Sequence, residues 1–210
     1  TPMSSLHLGL QELQGHVESE TAKDLLIRTI NDSAYLMGLT DNLHLASRLS
    51  DGADPTAGHA RTDLGALVDK IELRFSLLGK MSGVQVVAAR PDSPVWVICD
   101  PFIAERALSN IVHNAVTHGE RGGNVAVVLE VIDDTFELVV SDDGPGVPPE
   151  DLSMLAERTF RSDEARQRDV HGQGLGLAIT HEIARRSGWT LEFACVEPRG
   201  LQVSLKGSVL

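Results

Sequence analysis

Apolar side chains near the start of the chain recur at alternating steps of three and four residues. This spacing puts them on one stripe of a helix and is typical of a coiled-coil seam. The positions are Met3, Leu6, Leu10, Leu13 and Val17. A polar stretch at 18–20 ends the pattern, and a second helical pattern runs to about residue 49. Together they predict an antiparallel helical hairpin. Because one hairpin has too little surface of its own to bury the apolar seams of both helices, we expect two copies to form a four-helix bundle. A hairpin packed on its own domain is the alternative.

The pattern changes to mixed helix and strand after a stretch rich in Gly, Pro and Asp at 51–60. Short β-branched runs then alternate with helical periodicity, which predicts an α+β fold with helices on one face of a mixed sheet. We therefore divide the chain into a hairpin at 1–50, a linker at 51–60 and a second domain at 61–210. The predicted elements are helices over 64–78, 101–117, 148–157 and 175–186, and strands over 84–89, 95–99, 125–132, 136–141, 189–195 and 201–205. Asp100 is the predicted cap of the second helix, with Pro101 at its first position, and the strands at 125–132 and 136–141 form a predicted β-hairpin.

Composition narrows the functional classes. The chain has 210 residues and a formal net charge of −12, with no basic cluster, which argues against a nucleic-acid surface. No apolar run approaches the roughly 18 residues of a membrane span. Cys99 and Cys195 lie in apolar runs without CxxC spacing, so we expect buried thiols in a reducing, cytoplasmic setting.

Three polar or glycine-rich clusters carry candidate chemistry. Asn110 and Asn114 are four residues apart and so share one face of the predicted helix, where amide oxygens suit Mg²⁺. Asp142 ends a predicted strand and begins a D-x-G-x-G turn, where its carboxylate could accept from an exocyclic amine. A third cluster, the glycine loop at 172–176, opens a helix, and its backbone N–H groups could hold an anion. Taken singly, each pattern also fits an ordinary solvated helix face or turn.

The order and spacing of these clusters resemble the ATP-binding domain of sensor histidine kinases, in the superfamily that includes gyrase-type and Hsp90-type ATPases. Asp142 comes 28 residues after Asn114, and Gly172 comes 30 residues later. The stretches LSNIVHNAV, SDDGPGVP and GQGLGLAI are similar to that family's N, G1 and G2 boxes, and residues 157–161 are similar to its F box. Thr1-Pro2 resembles the end of the H-E/D-x-R-T-P signature that carries the phosphoacceptor histidine.

The resemblance implies a site for ATP and Mg²⁺. Asn114 would bind the metal with Asn110 in support, and Asp142 would read the adenine amine above a floor formed by Gly144 and Gly146. His118 would lie beside the nucleotide, and Phe160 would anchor a lid that begins at Arg161 and runs to residue 171. The phosphates would be held by Gly172, Gln173, Gly174, Leu175, Gly176 and Leu177.

The resemblance also implies the reaction and the partners. The γ-phosphoryl group of ATP would pass to a histidine lying just upstream of Thr1, and from there to an Asp of a response-regulator receiver domain. Thr1 itself would occupy the phosphatase position of that signature. The protein would be a homodimer through the hairpin, with a sensor domain, and any membrane anchor of the full-length protein, lying upstream. This fragment would be cytoplasmic, without membrane or nucleic-acid contact.

Two residues depart from the family pattern, and two other functions stay open. Thr117 stands where a Lys or Arg is frequent, and Leu201 stands where a Thr or Ser is frequent. One alternative is a non-catalytic phosphotransfer or scaffold protein with a degenerate kinase fold, which direct measurement of nucleotide binding would distinguish. The other is an ATPase that uses Glu105 or Glu120 as a general base, which multiple-turnover hydrolysis would reveal.

Overall fold

A computed structural model describes residues 60–157 and 176–210, together with Leu10 and Thr29. The chain divides into two compact units, Thr1–Asp54 and Pro55–Leu210, and the elements below all belong to the second. The predicted hairpin, its pairing with a second copy, the linker and the predicted lid lie outside the described residues, so the predicted domain boundaries stay predictions.

The described residues alternate between short strands and longer helices. Along the chain they are β1 (Arg61–Asp63), α1 (Leu64–Ser82), β2 (Gln85–Ala89), β3 (Trp96–Ile98), α2 (Pro101–His118), β4 (Asn124–Ile132), β5 (Thr135–Asp142), a 3₁₀ helix (Pro149–Met154), α3 (Gly176–Ser187), β6 (Thr190–Cys195) and β7 (Leu201–Ser208). None of the helices in this part of the chain is long and apolar enough to span a bilayer.

The strands form a five-stranded mixed sheet in the order β2-β4-β5-β7-β6, and a separate antiparallel pair of β1 with β3. β2 runs parallel to β4, and the other neighbours in the large sheet are antiparallel. The strands predicted over 125–132 and 136–141 form the β4–β5 hairpin, with Val127 opposite Val140. Its tight turn places Asp133 at a φ of 54°, a left-handed conformation that Asp tolerates better than most residues.

One face of this sheet is buried, because alternate residues of each strand point to opposite faces. The buried positions of β4 and β5 are apolar except for Asp142 at the end of β5, and α1, α2 and α3 bring their own buried apolar residues. The core residues from these elements include Val125, Val127, Leu129, Phe136, Leu138, Val140, Val68, Ile71, Phe75, Ile111, Val112, Ala115 and Ile183. The α+β prediction of a mixed sheet with helices is therefore confirmed for this part of the chain.

Several boundaries differ from the sequence-based expectation. α1 continues to Ser82, where Gly83 at a φ of 77° ends it, because its last turn still packs on β2. Strand β1 was not predicted, since three residues are too few to show a periodicity and their pairing comes from β3. The helix expected over 148–157 is a 3₁₀ helix at Pro149–Met154 without buried residues.

Helix α2 is the element that positions the candidate site. The Asp100 carboxylate accepts from the Phe102 N–H at 2.8 Å, which caps the helix with Pro101 in its first turn, as predicted. The opposite end is His118, followed by Gly119, whose N–H donates to the Ala115 carbonyl at 2.9 Å. Both glycine-containing segments described next contact this helix.

Candidate nucleotide-binding site

Asn110 and Asn114 lie half-buried on α2, one turn apart. The Asn110 Nδ2 donates to the carbonyl oxygen of Gly176 at 3.1 Å, which joins α2 to the first residue of α3. The predicted N-box helix and the end of the predicted glycine loop are thus in direct contact. A hydrogen bond through Nδ2 leaves the Asn110 oxygen available to accept.

Asp142 is the most deeply buried acidic group of the candidate site, with a relative exposure of 9%. Its Oδ1 accepts two backbone hydrogen bonds, from the Gly144 N–H at 3.0 Å and from the Leu201 N–H at 3.3 Å. Burial raises the pKa of Asp142 above its ordinary value, while these two bonds oppose the rise and nearby Asp143 adds to it. Oδ2 accepts no hydrogen bond from the described residues, so one carboxylate oxygen is left for a ligand.

The turn after Asp142 packs against the end of α2. A Cβ on Gly144 would lie 3.2 Å from the His118 carbonyl oxygen and 2.9 Å from the Asp142 Oδ1, so the close approach needs glycine. Asn110, which contacts Gly176, precedes His118 by eight residues. The two residues are therefore about 12 Å apart along the helix axis. One helix therefore borders both glycine segments, at a separation that an extended nucleoside triphosphate can span.

The β6–β7 turn closes the other side of Asp142. Gly200 is buried with a φ of 128°, and a Cβ there would overlap the carbonyl oxygen of Asp142. Gly146, at a φ of 72°, lies against the same turn, since its Cβ would be 3.0 Å from the Gly200 carbonyl oxygen. Only glycine combines such backbone angles with so close an approach of two chain segments.

Asp143 points to a different partner from its neighbour. Its two oxygens accept from the Asn124 N–H at 2.8 Å and from the Asn124 Nδ2 at 2.9 Å. Burial by itself would raise the pKa of Asp143, but the bonds from Asn124, with the charge of Arg199, hold it below its ordinary value. This carboxylate therefore fixes the start of β4 and is already occupied as an acceptor.

The structure brings together most of the predicted residues that it describes. Asn110, Gly176, His118, Asp142, Gly144 and Gly146 border one region, and Leu177 is buried at the start of α3. Sequence reasoning missed Gly200 and the Leu201 N–H as partners of Asp142. The remaining predicted residues lie outside the described part of the chain: Thr1, Phe160, Arg161, Gly172, Gln173, Gly174 and Leu175.

The donor set around Asn114 fits a metal that arrives with its ligand. Asn114 is half-buried, and its side chain makes no hydrogen bond to the described residues. Within residues 60–157 and 176–210, no group of three His, Cys, Asp or Glu side chains could hold a metal ion. An amide oxygen, completed by phosphate oxygens and water, is a coordination shell that suits Mg²⁺.

The two acidic side chains considered as general bases are both engaged in ion pairs. Glu105 Oε2 lies 2.7 Å from the Lys70 Nζ, and Glu120 Oε2 lies 3.0 Å from the Arg199 Nη1. Each carboxylate therefore already accepts from a charged donor. These contacts disfavour the hydrolytic alternative.

A cleft of about 420 Å³ lies elsewhere, along β6 and β7. Its charged residues include Lys206, which bridges Glu137 at 3.3 Å and Glu192 at 2.8 Å. None of the predicted site residues lines this cleft. Its charges are already paired with one another, so we assign the candidate site to the region around Asp142 and α2.

Comparison with known proteins agrees with this geometry. Residues 99–207 match the family described as histidine kinase-, DNA gyrase B-, and HSP90-like ATPase. The match covers more than half of the chain and includes α2, both glycine segments and β4 to β7. The chain therefore belongs to this family, and the relatives described next are histidine kinases.

Individual relatives span different parts of the chain. The sensor-like histidine kinase SenX3 of Mycobacterium tuberculosis is 29% identical over 194 residues, which is 91% of this chain but only 46% of that protein. The solved structure of the mycobacterial sensor histidine kinase MprB has a TM-score of 0.62 at 29% identity and covers 72% of this chain and 97% of that one. Full-length ShkA in complex with AMPPNP shares the fold, with a TM-score of 0.69 at 19% identity over 99% of this chain and 45% of that one.

Gly200→Ala is expected to lower the free energy of unfolding by at least about 2 kcal/mol, because the new Cβ would both require an unfavourable φ and overlap the Asp142 carbonyl. Gly188→Ala is the matched control: Gly188 has a φ of 69°, but nothing lies within 4 Å of its Cβ position. Urea unfolding followed by circular dichroism measures both. Equal losses in the two variants would contradict the close approach of the β6–β7 turn to Asp142.

Proposed function

We propose that this chain is the ATP-binding core of a sensor histidine kinase in a two-component system. The observation that carries the proposal is the buried Asp142 carboxylate, in which two backbone N–H groups fix one oxygen and no described residue donates to the other. An exocyclic amine of a purine, such as the 6-amino group of adenine, is the donor that such an acceptor selects. The neighbour ShkA, solved with AMPPNP, supports an adenine nucleotide as the ligand.

In this proposal the phosphates extend from the base along α2 towards the start of α3. Asn114 binds Mg²⁺, and Asn110 supports the phosphates while its Nδ2 donates to Gly176. The backbone N–H groups of Gly172, of Gly174 and of the α3 N-terminus donate to the phosphates. Residues 161–171 form a lid anchored by Phe160. The chain has a net charge of −12, so a divalent ion offsets the repulsion between protein and nucleotide.

The proposed reaction transfers the γ-phosphoryl group of ATP to a histidine, and then to an Asp of a response-regulator receiver domain. Transfer depends on in-line positioning and charge neutralisation more than on covalent chemistry from the ATPase domain. We further propose that residues 1–50 form the dimerisation hairpin, with Thr1 at the phosphatase position, and that the 51–60 linker lets the two parts approach. SenX3, a sensor-like histidine kinase matched over 91% of this chain, supports this arrangement.

The degenerate-scaffold alternative is disfavoured by the cost of keeping this site. A carboxylate that is largely removed from water costs a fold stability unless its charge is compensated, and burial raises the pKa of Asp142. Gly200 and Gly144 allow the chain to pack closely around Asp142, where a Cβ at either position would collide with this residue. A protein that no longer bound nucleotide would have no physical reason to retain this arrangement.

Asp142→Asn is expected to weaken ADP binding by about 10- to 150-fold, because a hydrogen bond to a charged acceptor contributes about 1.5–3 kcal/mol. Isothermal titration calorimetry measures the dissociation constant. Asp133→Asn, the same exchange at the opposite end of the β4–β5 hairpin, is the control and should bind like the parent chain.

The pH dependence supplies a second readout for the same variant. Because burial raises the pKa of Asp142, the carboxylate protonates, and ADP affinity falls, at a higher pH than the ordinary Asp value of about 3.9. The affinity is full above that pKa and is lost as the pH falls through it. Titration of ADP itself affects the parent and Asp142→Asn alike, so the difference between them reports Asp142. Unchanged affinity in Asp142→Asn would remove this residue from the site.

Asn114→Ala is expected to remove at least about tenfold of the Mg²⁺-dependent gain in affinity for a non-hydrolysable ATP analogue, since it deletes a proposed metal ligand. Titrations in Mg²⁺ and in EDTA separate the metal contribution from the rest. Binding in EDTA should match the parent, and Asn114→Asp, which keeps an oxygen ligand, should retain a Mg²⁺ response. An Asn114→Ala chain that responds fully to Mg²⁺ would refute the role.

A further inference from the structure

The turn that joins β6 to β7 lies directly on the carboxylate proposed to read the base. The Val196 N–H donates to the Gly200 carbonyl oxygen at 3.1 Å, which closes the turn on itself. The next residue, Leu201, donates its N–H to Asp142 Oδ1 at 3.3 Å, a longer bond than the 3.0 Å bond from Gly144. The orientation of Asp142 therefore depends on where this turn sits.

Arg199 connects the turn to the end of α2. Its Nη1 lies 3.0 Å from Glu120 Oε2, and Glu120 follows the last residue of α2 by two positions. The charge of Arg199 also acts on Asp143, the carboxylate that holds Asn124. The ion pair of Arg199 thus joins the β6–β7 turn to the end of α2 beside Asp142.

We propose that Arg199 is a positioning residue for recognition of the base. Its ion pair with Glu120 holds the β6–β7 turn so that the Leu201 N–H stays on Asp142 Oδ1, and Oδ2 stays directed towards the 6-amino group of the purine. This role rests on the proposed reading of that amine by Asp142. It adds a determinant of base selectivity that does not itself touch the nucleotide.

The size of the effect follows from the exposure of the pair. The side chains of Arg199 and Glu120 are 56% and 47% exposed, and an exposed ion pair changes an equilibrium by up to about fivefold. Loss of the pair lengthens an already long hydrogen bond to Asp142. The consequence falls on ligands with a 6-amino group, because a 6-oxo group gains nothing from a correctly oriented carboxylate oxygen.

The test compares ADP with IDP by calorimetric titration of the 210-residue chain. In IDP a 6-oxo group replaces the 6-amino group, and N1 carries a hydrogen. The variants are Arg199→Ala, Arg199→Lys and the charge exchange Glu120→Arg with Arg199→Glu. Lys70→Ala is the matched control, since it breaks a different exposed ion pair, the 2.7 Å contact of Lys70 with Glu105 on α2. Thermal unfolding of each variant records its stability separately.

Arg199→Ala is expected to weaken ADP binding about two- to fivefold and leave IDP binding unchanged, so the preference for ADP shrinks by the same factor. Arg199→Lys and the charge exchange should restore the preference, and Lys70→Ala should not alter it. An unchanged preference in Arg199→Ala, or a charge exchange that fails to restore it, would overturn the role of Arg199. If Asp142→Asn also leaves the preference unchanged, the proposed reading of the amine by Asp142 fails instead.

Discussion

The Asp142 carboxylate constrains the geometry of the whole candidate site. A buried charge destabilises a fold unless it is hydrogen-bonded, and here one oxygen takes N–H groups from two segments, Gly144 in its own turn and Leu201 in the β6–β7 turn. To deliver these groups the chain needs Gly200, whose backbone meets that of Asp142 too closely for any side chain. Two turns distant in sequence are thereby fixed to one side chain, and the other oxygen is left for a ligand.

Helix α2 turns this local arrangement into an extended site. Its last turn supports the Gly144 segment through the His118 carbonyl, and about two turns earlier the Asn110 amide holds the first residue of α3. Asn114 lies between these two contacts. A proposed nucleotide therefore has its base at one end of a rigid element, its phosphates at the other, and the proposed metal ligand between them. In a chain with a net charge of −12, that metal also reduces the repulsion that an anionic ligand meets.

Periodicity and capping predicted much of the described fold, because they are local signals. Asp100 and Pro101 set the start of α2, and the alternation along β4 and β5 set their buried face. What the sequence could not show depends on partners distant along the chain. β1 exists because β3 pairs with it, and Leu201 reaches Asp142 across 59 residues. Leu201 departs from the family pattern, in which a Thr or Ser is frequent. It contributes to the site through its backbone N–H, which no side-chain pattern reveals.

Backbone amide chemical shifts of the labelled chain, recorded as ADP and Mg²⁺ are added, test the central claim most directly. Binding at the proposed site predicts the largest changes at Gly144, Gly146 and Leu201, with the Asp133-Asp134 turn at the opposite end of the β4–β5 hairpin unaffected. Changes centred on the cleft around Lys206, or none at the residues that contact Asp142, would contradict it.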